Sequence, residues 1–221
     1  ARPLAAIETR FAVDSSGIAT RQFQRWIDAK TNRERRRNIW LKLHVATGVQ
    51  TNIITAARVT DGDANDCPEL TALVQSTAER FKVKEVAADK AYLSVENLEA
   101  IEEAGAVPFI PFKINSVGMA SKSPHWRRMW AHFSLKAEDF LAHYHRRSNV
   151  ETTVWMIKSK FGGAVRSKLP TAQVNEVLCK VLCHNLACIV HAITEFGIEA
   201  DFAPKSAASP LARPELTLVR P

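Results

Sequence analysis

An α/β fold, with one mixed sheet flanked by helices, is predicted by the order of strand-like and helix-like segments along the chain. Three strand-like segments come first, and helix-like and strand-like segments then alternate before the chain ends in helices. The chain has 221 residues, of which 46% are apolar and 24% charged, which is enough for one domain with a buried core. This order predicts a single sheet with helices on its faces.

Five strands are predicted. The first lies in TRFAVDSSG and ends at Asp14, because Ser-Ser-Gly then favours a turn. The second and third lie in IWLKLHVATG and NIITAARVT, which are rich in alternating apolar or β-branched residues and form a hairpin around Gly48. The last two are predicted in VKEVAADKAY, whose strand end carries Asp89, and in AVPFIPFKI.

The helices between these strands are predicted by their termini. Asp66 and Glu69 have the spacing of a capping box in front of LTALVQSTAERF. The helix in SVENLEAIEEAG ends at Gly105. A final apolar helix spans about residues 171–196, and Lys180 and His184 within it argue against a membrane span.

One polar helix, within YHRRSNVETTVWMIKSKFGG, has two distinct stripes. At 100° per residue, four of its side chains with polar or charged groups fall within a stripe about 60° wide. These side chains are Tyr144, Arg147, Glu151 and Lys158. An apolar stripe beside it consists of Val150, Val154, Ile157 and Phe161. From spacing alone, a solvated face with internal ion pairs is the commoner explanation.

The charge of the chain suits a polyanionic partner. Its net charge is +7 with a pI near 9.4, which bears on association rather than on fold. Basic residues are concentrated in residues 21–42, where we favour a DNA-backbone patch over a merely solvated face. The centre of this segment contains Arg33, Arg35, Arg36 and Arg37.

The four cysteines do not have the spacing of a disulfide framework. A zinc site from Cys179, Cys183, His184 and Cys188 is conceivable. We favour a buried helix, in which free cysteines act as small hydrophobic residues. No signal-peptide pattern is found, and the reducing cytoplasm is the expected compartment.

Three carboxylates are candidates for a metal site. Asp14 and Asp89 are predicted at strand ends, and Glu151 lies on a helix expected to pack beside the sheet. A few carboxylates plus water suit magnesium, and two such ions promote phosphoryl transfer. For any one strand-end aspartate, a role as a turn or cap residue is the more common explanation.

The pattern of these residues resembles the DDE transposases of bacterial insertion sequences, in their IS-four/IS-five-like branch. The hallmark of that branch is Tyr, two residues, Arg, three residues, Glu, six residues, Lys, and Tyr144, Arg147, Glu151 and Lys158 match it at every step. FAVDSSG and AADKAY resemble the settings of the family's two aspartates, although Ala91 replaces the commoner Gly. The resemblance covers roughly residues 9–195.

The resemblance implies a ribonuclease-H-like mixed five-stranded sheet flanked by helices. Asp14, Asp89 and Glu151 would be the catalytic residues and would bind two Mg²⁺ ions, for which Mn²⁺ could substitute. Tyr144, Arg147 and Lys158 would hold phosphates of the transposon end. The 62 residues between Asp89 and Glu151 leave no room for the large all-β insertion of some relatives.

The function implied is metal-dependent cleavage at transposon ends, followed by transfer of the 3′-hydroxyl into target DNA. The expected partners are both DNAs and a second copy of the chain on DNA, in the bacterial cytoplasm at the nucleoid and with no membrane involved. Residues 1–198 would form the catalytic domain and 199–221 a disordered tail. Two alternatives are a nuclease of the same fold that never joins DNA, and a truncated or domesticated DNA-binding protein.

Overall fold

The computed structural model describes residues 2–20, 40–118 and 122–198, which form one mixed sheet covered by helices. The strands are β1 (Arg10–Thr20), β2 (Trp40–Gly48), β3 (Ile54–Asp61), β4 (Glu85–Ala88), β5 (Val107–Phe109) and β6 (Ala164–Val165). The helices are α1 (Glu69–Ala78), α2 (Val95–Glu103), α3 (Pro124–Leu135), α4 (Ala137–Tyr144), α5 (Ser148–Phe161) and α6 (Pro170–Phe196). Short 3-10 turns occupy Arg2–Leu4, Lys90–Tyr92 and His145–Arg147.

The strands follow the order β3-β2-β1-β4-β5 across the sheet. The first three are antiparallel neighbours, whereas β4 is parallel to β1 and β5 is parallel to β4. The two-residue strand β6 pairs with the far end of β1. The predicted α/β sheet flanked by helices is confirmed, with β6 as a sixth strand too short for any sequence periodicity to indicate it.

Each face of the sheet has its own core. On one face, Phe11 and Val13 of β1 pack with α1, α2, α3, α4 and the C-terminal part of α6. On the other face, Ala12 and Ile18 of β1 pack with α5 and the N-terminal part of α6. Because successive residues of a strand point to opposite faces, Asp14 lies on the same face as α5.

The strand β1 is longer than predicted. Ser15, Ser16 and Gly17 do not form a turn, because they continue the antiparallel ladder and pair with His44, Leu43 and Lys42 of β2. Turn propensity is local, and here the ladder with β2 outweighs it. Asp14 therefore lies in the middle of a strand rather than at its end.

The start of α1 does not use the predicted capping box. The helix begins at Glu69 after Pro68, and no side chain caps its N-terminus. Glu69 instead pairs with Arg58 of β3, while Asp66 contacts Lys42 and His44 of β2. Both carboxylates contact neighbouring strands of the sheet, so neither of them caps the helix.

The final helix α6 has the predicted extent, and the rest of the described chain covers only one of its flanks. It is the only helix in the described part of the chain that is long and apolar enough to cross a membrane. Its inner flank packs on the sheet, where Lys180 Nζ donates to the carbonyls of Gly162 (3.0 Å) and Ala164 (2.7 Å). Cys179 and Cys183 are exposed, so the prediction that they are core residues was wrong.

Candidate active site

The two predicted aspartates lie next to each other because of strand register. Parallel pairing of β1 with β4 ends at Val13 opposite Ala88, and Asp14 and Asp89 are the next residues of the two strands. Asp89 then begins the 3-10 turn Lys90–Tyr92, with its Oδ1 accepting the Ala91 amide at 3.2 Å. The two aspartates therefore lie beside each other where β4 ends against the middle of β1.

Arg147 connects the third carboxylate to this pair. Its Nη1 donates to Asp14 Oδ2 at 2.8 Å, and its Nη2 donates to Glu151 Oε1 at 2.7 Å. One planar guanidinium thus spans a strand residue and a helix residue, a geometry for which arginine is suited. The second oxygen of Asp14, Oδ1, accepts the Ser15 amide at 2.8 Å.

The other two residues of the predicted signature lie close by. Tyr144 ends α4, and the Arg147 Cζ lies 5.9 Å from the centre of its ring. Lys158 Nζ donates to Ser16 Oγ at 2.8 Å, two residues from Asp14. The single helix predicted for this segment is divided into α4, the turn His145–Arg147 and α5, but the signature residues still gather around Asp14.

The predicted apolar stripe explains why α5 lies where it does. Val150, Val154 and Ile157 are buried against the sheet, and Phe161 packs at their edge. This burial holds one flank of α5 against the sheet, and the neighbouring flank therefore places Glu151 beside β1. Glu151 remains open to solvent, with 59% of its side chain exposed.

The electrostatics of the group depend on burial and on Arg147. Burial raises the pKa of Asp14, and nearby Asp89 and Glu151 raise it further, while the Ser15 amide and Arg147 oppose the shift. For Arg147, burial works against the charged form, but Asp14, Tyr144 and Glu151 outweigh it and raise its pKa. The guanidinium is therefore firmly charged and acts as the counter-ion of the site.

The donor chemistry of the site fits a hard divalent cation, since carboxylate oxygens are the ligands that Mg²⁺ prefers. Among the residues described, however, no three His, Cys, Asp or Glu side chains converge closely enough to hold a metal ion. The Arg147 guanidinium lies between Asp14 and Glu151. A metal bound by both carboxylates therefore requires Arg147 to withdraw.

A polar contact that the sequence analysis missed fixes the start of α5. The side-chain oxygen of Asn52, in the β2–β3 loop, accepts from Asn149 Nδ2 at 2.7 Å and from Thr153 Oγ1 at 3.1 Å. Its backbone carbonyl pairs with His184 Nε2 of α6 at 2.9 Å. The signal in the sequence was an asparagine in a hairpin loop, a residue type that tolerates the left-handed conformation found here, with φ of 58°.

The predicted basic patch is only partly described. Arg33, Arg35, Arg36 and Arg37 lie outside the described residues. Lys42, at the end of that segment, is on β2, where its Nζ contacts Asp66 Oδ1 at 3.1 Å and donates to the Ala64 carbonyl at 2.8 Å. Lys42 therefore has local protein partners.

The class of the chain, that of DNA-acting phosphoryl-transfer enzymes with a ribonuclease-H-like fold, follows from its sheet topology and from a family match. The chain belongs to the transposase DDE domain family, whose model matches residues 6–186. Members of this family generally use divalent metal ions.

Two solved structures match this chain. A piggyBac transposase synaptic complex with hairpin DNA matches with a TM-score of 0.51 and 10% identity, over 87% of this chain and 49% of that one. The catalytic core domain of BIV integrase matches with a TM-score of 0.32 and 9% identity, over 78% of this chain and 97% of that one. This chain thus spans about half the length of the piggyBac chain.

Proposed function

We propose that this chain is the catalytic domain of a DNA transposase of the IS-four/IS-five-like branch, which cuts transposon ends and joins them to target DNA. The observation that carries the proposal is the placement of Arg147, which contacts both Asp14 and Glu151, while Asp89 directly follows the last β4 residue paired with β1. A structural ion pair needs only two partners. Three neighbouring carboxylates, from a strand, from the turn after the adjacent strand and from a helix, are typical of a phosphoryl-transfer site.

In this proposal Asp14, Asp89 and Glu151 hold two Mg²⁺ ions, with Mn²⁺ as a substitute. Bound there, the ions would lower the pKa of an attacking water or hydroxyl and offset charge on the leaving oxygen. The protein's own part is positional. Asp14 is held by the Ser15 amide, and Glu151 is held by the buried flank of α5.

Arg147, Lys158 and Tyr144 would bind the phosphates of the transposon end. A phosphate entering the site offers Arg147 an anionic partner in place of Asp14 and Glu151, and bidentate arginine–phosphate pairs are strong. Lys158 exchanges the neutral Ser16 hydroxyl for a phosphate oxygen. Arg33, Arg35, Arg36 and Arg37 would add backbone contacts that are independent of sequence.

The chemistry consists of two phosphoryl transfers at one site. In the first, water attacks a phosphodiester at the transposon end, and the bond to the 3′-oxygen breaks to leave a 3′-hydroxyl. In the second, this hydroxyl attacks a target phosphodiester, and a target 3′-oxygen leaves. The number of phosphodiester bonds is unchanged in the second step, so no external energy source is required.

The partners in this proposal are the transposon ends, the target DNA and a second copy of the chain assembled on DNA. The piggyBac structure is itself a synaptic complex with hairpin DNA. The net charge of +7 favours association with nucleic acid. We place the reaction at the bacterial nucleoid in the cytoplasm.

The test is to replace each carboxylate by its amide, in Asp14→Asn, Asp89→Asn and Glu151→Gln. On DNA taken from the ends of the element that encodes the chain, each variant should lose cleavage and keep its DNA affinity within a few-fold, because affinity comes mainly from Lys and Arg. Asp139→Asn, an exposed carboxylate on α4, is the matched control and should cleave normally.

Wild-type cleavage by any one of the three amide variants would contradict the metal assignment. A pre-cut end separates joining from simple hydrolysis. If the wild-type protein cuts intact ends but never joins a pre-cut end to a second duplex, the chain is a nuclease of this fold rather than a transposase.

A further inference from the structure

Trp155 is an exposed aromatic residue on the face of α5 that carries the candidate site. It is 67% exposed, although most large apolar residues of α5 are buried against the sheet. An indole is the largest apolar side chain, and leaving it in water forgoes more burial energy than leaving any other. The folding of the described chain therefore gives no reason for a tryptophan here.

The position of Trp155 along α5 ties it to the carboxylate site. It follows Glu151 by four residues and precedes Lys158 by three, so the three side chains share one face, with Cβ atoms about 5–6 Å apart between neighbours. Lys158 and Arg147 lie on the sheet side of Glu151, where they contact Ser16 and Asp14. Trp155 lies on the solvent side.

Six of the other aromatic residues contact one another. Phe109, Phe112, Trp126, Trp130, Phe133 and Phe140 form a network of ring contacts on the opposite face of the sheet. Trp155 has no ring contact within residues 2–20, 40–118 and 122–198. Its indole face is open beside the candidate site, where Arg147 and Lys158 are the groups that suit phosphate.

From this arrangement we propose that Trp155 is a stacking surface for an unpaired nucleobase at the DNA end, an inference that rests on the proposed function. A nucleotide whose phosphate contacts Arg147 or Lys158 has a base within reach of the next turn of α5. Stacking a base on an aromatic side chain contributes about 1–3 kcal/mol and tolerates any base, since every base has a π-face. Unpairing costs least at a duplex end.

The inference assigns different roles to the two flanks of Glu151. The sheet-side flank, with Arg147 and Lys158, binds the backbone, while Trp155 on the solvent-side flank holds the terminal base away from its complement. Stacking there favours a frayed end over a fully paired one. The ligand class is thus a single-stranded or frayed DNA terminus.

The experiment compares wild type, Trp155→Ala and Trp155→Phe for binding to duplexes with a short 3′ overhang, without added divalent metal so that nothing is cleaved. One overhang carries 2-aminopurine, a second is abasic at the same positions, and a third duplex is blunt. The matched control is Leu135→Ala, which removes another exposed apolar side chain at the end of α3. Fluorescence anisotropy gives the affinities, and 2-aminopurine quenching reports stacking.

Wild type should bind the overhang with a base at least about fivefold more tightly than the abasic one, the ratio that 1 kcal/mol of stacking gives. Trp155→Ala should lose that ratio and the quenching while keeping its affinity for the blunt duplex. Trp155→Phe should keep most of the affinity ratio and of the quenching. Leu135→Ala should behave as wild type.

An unchanged base dependence in Trp155→Ala would overturn this inference and leave the proposed function standing. The inference would also be overturned if Trp155→Ala had a lower molar mass than wild type by light scattering and kept its base dependence. The indole would then belong to a protein interface. If wild type binds none of the three duplexes, the proposed function itself fails.

Discussion

At the scale of single residues, Arg147 dominates the candidate site. It is the shared counter-ion of Asp14 and Glu151, and its side chain is only 16% exposed. A cation and an arginine compete for the same carboxylate oxygens. The free protein therefore keeps Asp14 and Glu151 paired with Arg147, and in the proposed site a divalent metal would have to displace this preformed contact.

Replacing Arg147 should consequently destabilise the metal-free protein and enlarge the stabilisation that added metal gives. Arg147→Ala should lower the free energy of unfolding without metal by about 1–3 kcal/mol, because Asp14 loses a charge-assisted hydrogen bond in a partly buried place. Added Mg²⁺ or Mn²⁺ should then raise the melting temperature more than in wild type, since the competitor is gone. Melting curves with EDTA, Mg²⁺ and Mn²⁺ measure both effects.

The neighbouring Arg146 provides a matched control. Its Nη1 pairs with Glu85 at 2.9 Å, at the start of β4. Arg146→Ala should reduce stability without enlarging the metal-induced shift. If Arg147→Ala responded to metal no more than wild type, Arg147 would not compete for the ligands.

The sequence predicted which residues gather at the site but not how they are paired. Helical spacing placed Arg147 and Glu151 on one stripe, and the structure has them in contact. The partner that spacing could not supply is Asp14, which lies 133 positions away in sequence. The spacing of side chains along a helix predicts contacts within that helix only. The ion pair between Arg147 and Asp14 depends instead on how α5 packs across β1.

At the scale of elements, the β2–β3 hairpin holds α5 in place. Asn52 in its loop has a φ of 58° and accepts hydrogen bonds from Asn149 and Thr153 in the first turns of α5. The same helix carries Glu151 and Trp155. A loop far from the carboxylates in sequence thus fixes the orientation of the helix that supplies one of them.

Substitutions at Asn52 should separate its backbone and side-chain roles. Asn52→Gly keeps the positive φ but loses the acceptor, and should reduce the free energy of unfolding by about 1–2 kcal/mol. Asn52→Ala should cost about a further 1 kcal/mol, because its Cβ disfavours the left-handed region. Asn52→Asp keeps both features and is the control. Urea unfolding measures the series.

Hydrogen exchange at the start of α5 provides a local measurement. Asn52→Gly should raise amide exchange there more than in α2, which packs on the other face of the sheet. Equal increases in α2 and α5 would mean that Asn52 supports the whole fold rather than the position of α5.

The elements predicted best were those with a strong period or a clear end. The β2–β3 hairpin, the extent of α6 and the helix that ends before Gly105 are confirmed. The predictions that failed were local interpretations overruled by tertiary contacts. Ser15–Gly17 continue β1, and the carboxylates of Asp66 and Glu69 bind to neighbouring strands.

At the scale of the whole molecule, two buried histidines join neighbouring elements of the fold. His44 of β2 has its Nε2 2.8 Å from Thr60 Oγ1, and His184 of α6 has its Nε2 2.9 Å from the Asn52 carbonyl. Both side chains are inaccessible to solvent. Burial lowers the pKa of each, against the opposing effects of Asp66 and Glu69 on His44 and of the Asn52 carbonyl on His184.

This burial predicts sensitivity to mild acid. A histidine whose folded pKa is depressed binds a proton more readily when unfolded, so stability is full above its ordinary value of 6.5 and falls as the pH drops towards the folded pKa. The free energy of unfolding of wild type should fall between about pH 7 and pH 5. His44→Gln and His184→Gln should each reduce that fall.

The control is His191→Gln, since His191 is exposed on α6. It should show the same pH dependence as wild type in urea titrations. Identical pH dependences for all four proteins would show that neither buried histidine is linked to unfolding.

The general architecture was predictable because the strand order follows from the order of elements. A hairpin beside the first strand, followed by strands connected through helices, leaves few arrangements of a mixed sheet. The exposed flank of α6 was not predictable, because composition along a helix does not tell how many of its faces the rest of the chain covers. Cys179 and Cys183 lie on that uncovered flank.

The pairing of β1 with partners from the whole length of the chain has a consequence for biosynthesis. Among the described strands β1, which carries Asp14, leaves the ribosome before the others, but it pairs with β4 and β6 and is joined by Arg147 and Glu151 only when those later segments have been made. At about 5–20 residues per second, the delay between Asp14 and Glu151 is on the order of ten seconds. A nascent or truncated chain that stops before α5 lacks Glu151, so the group of three carboxylates forms only after α5 has been made.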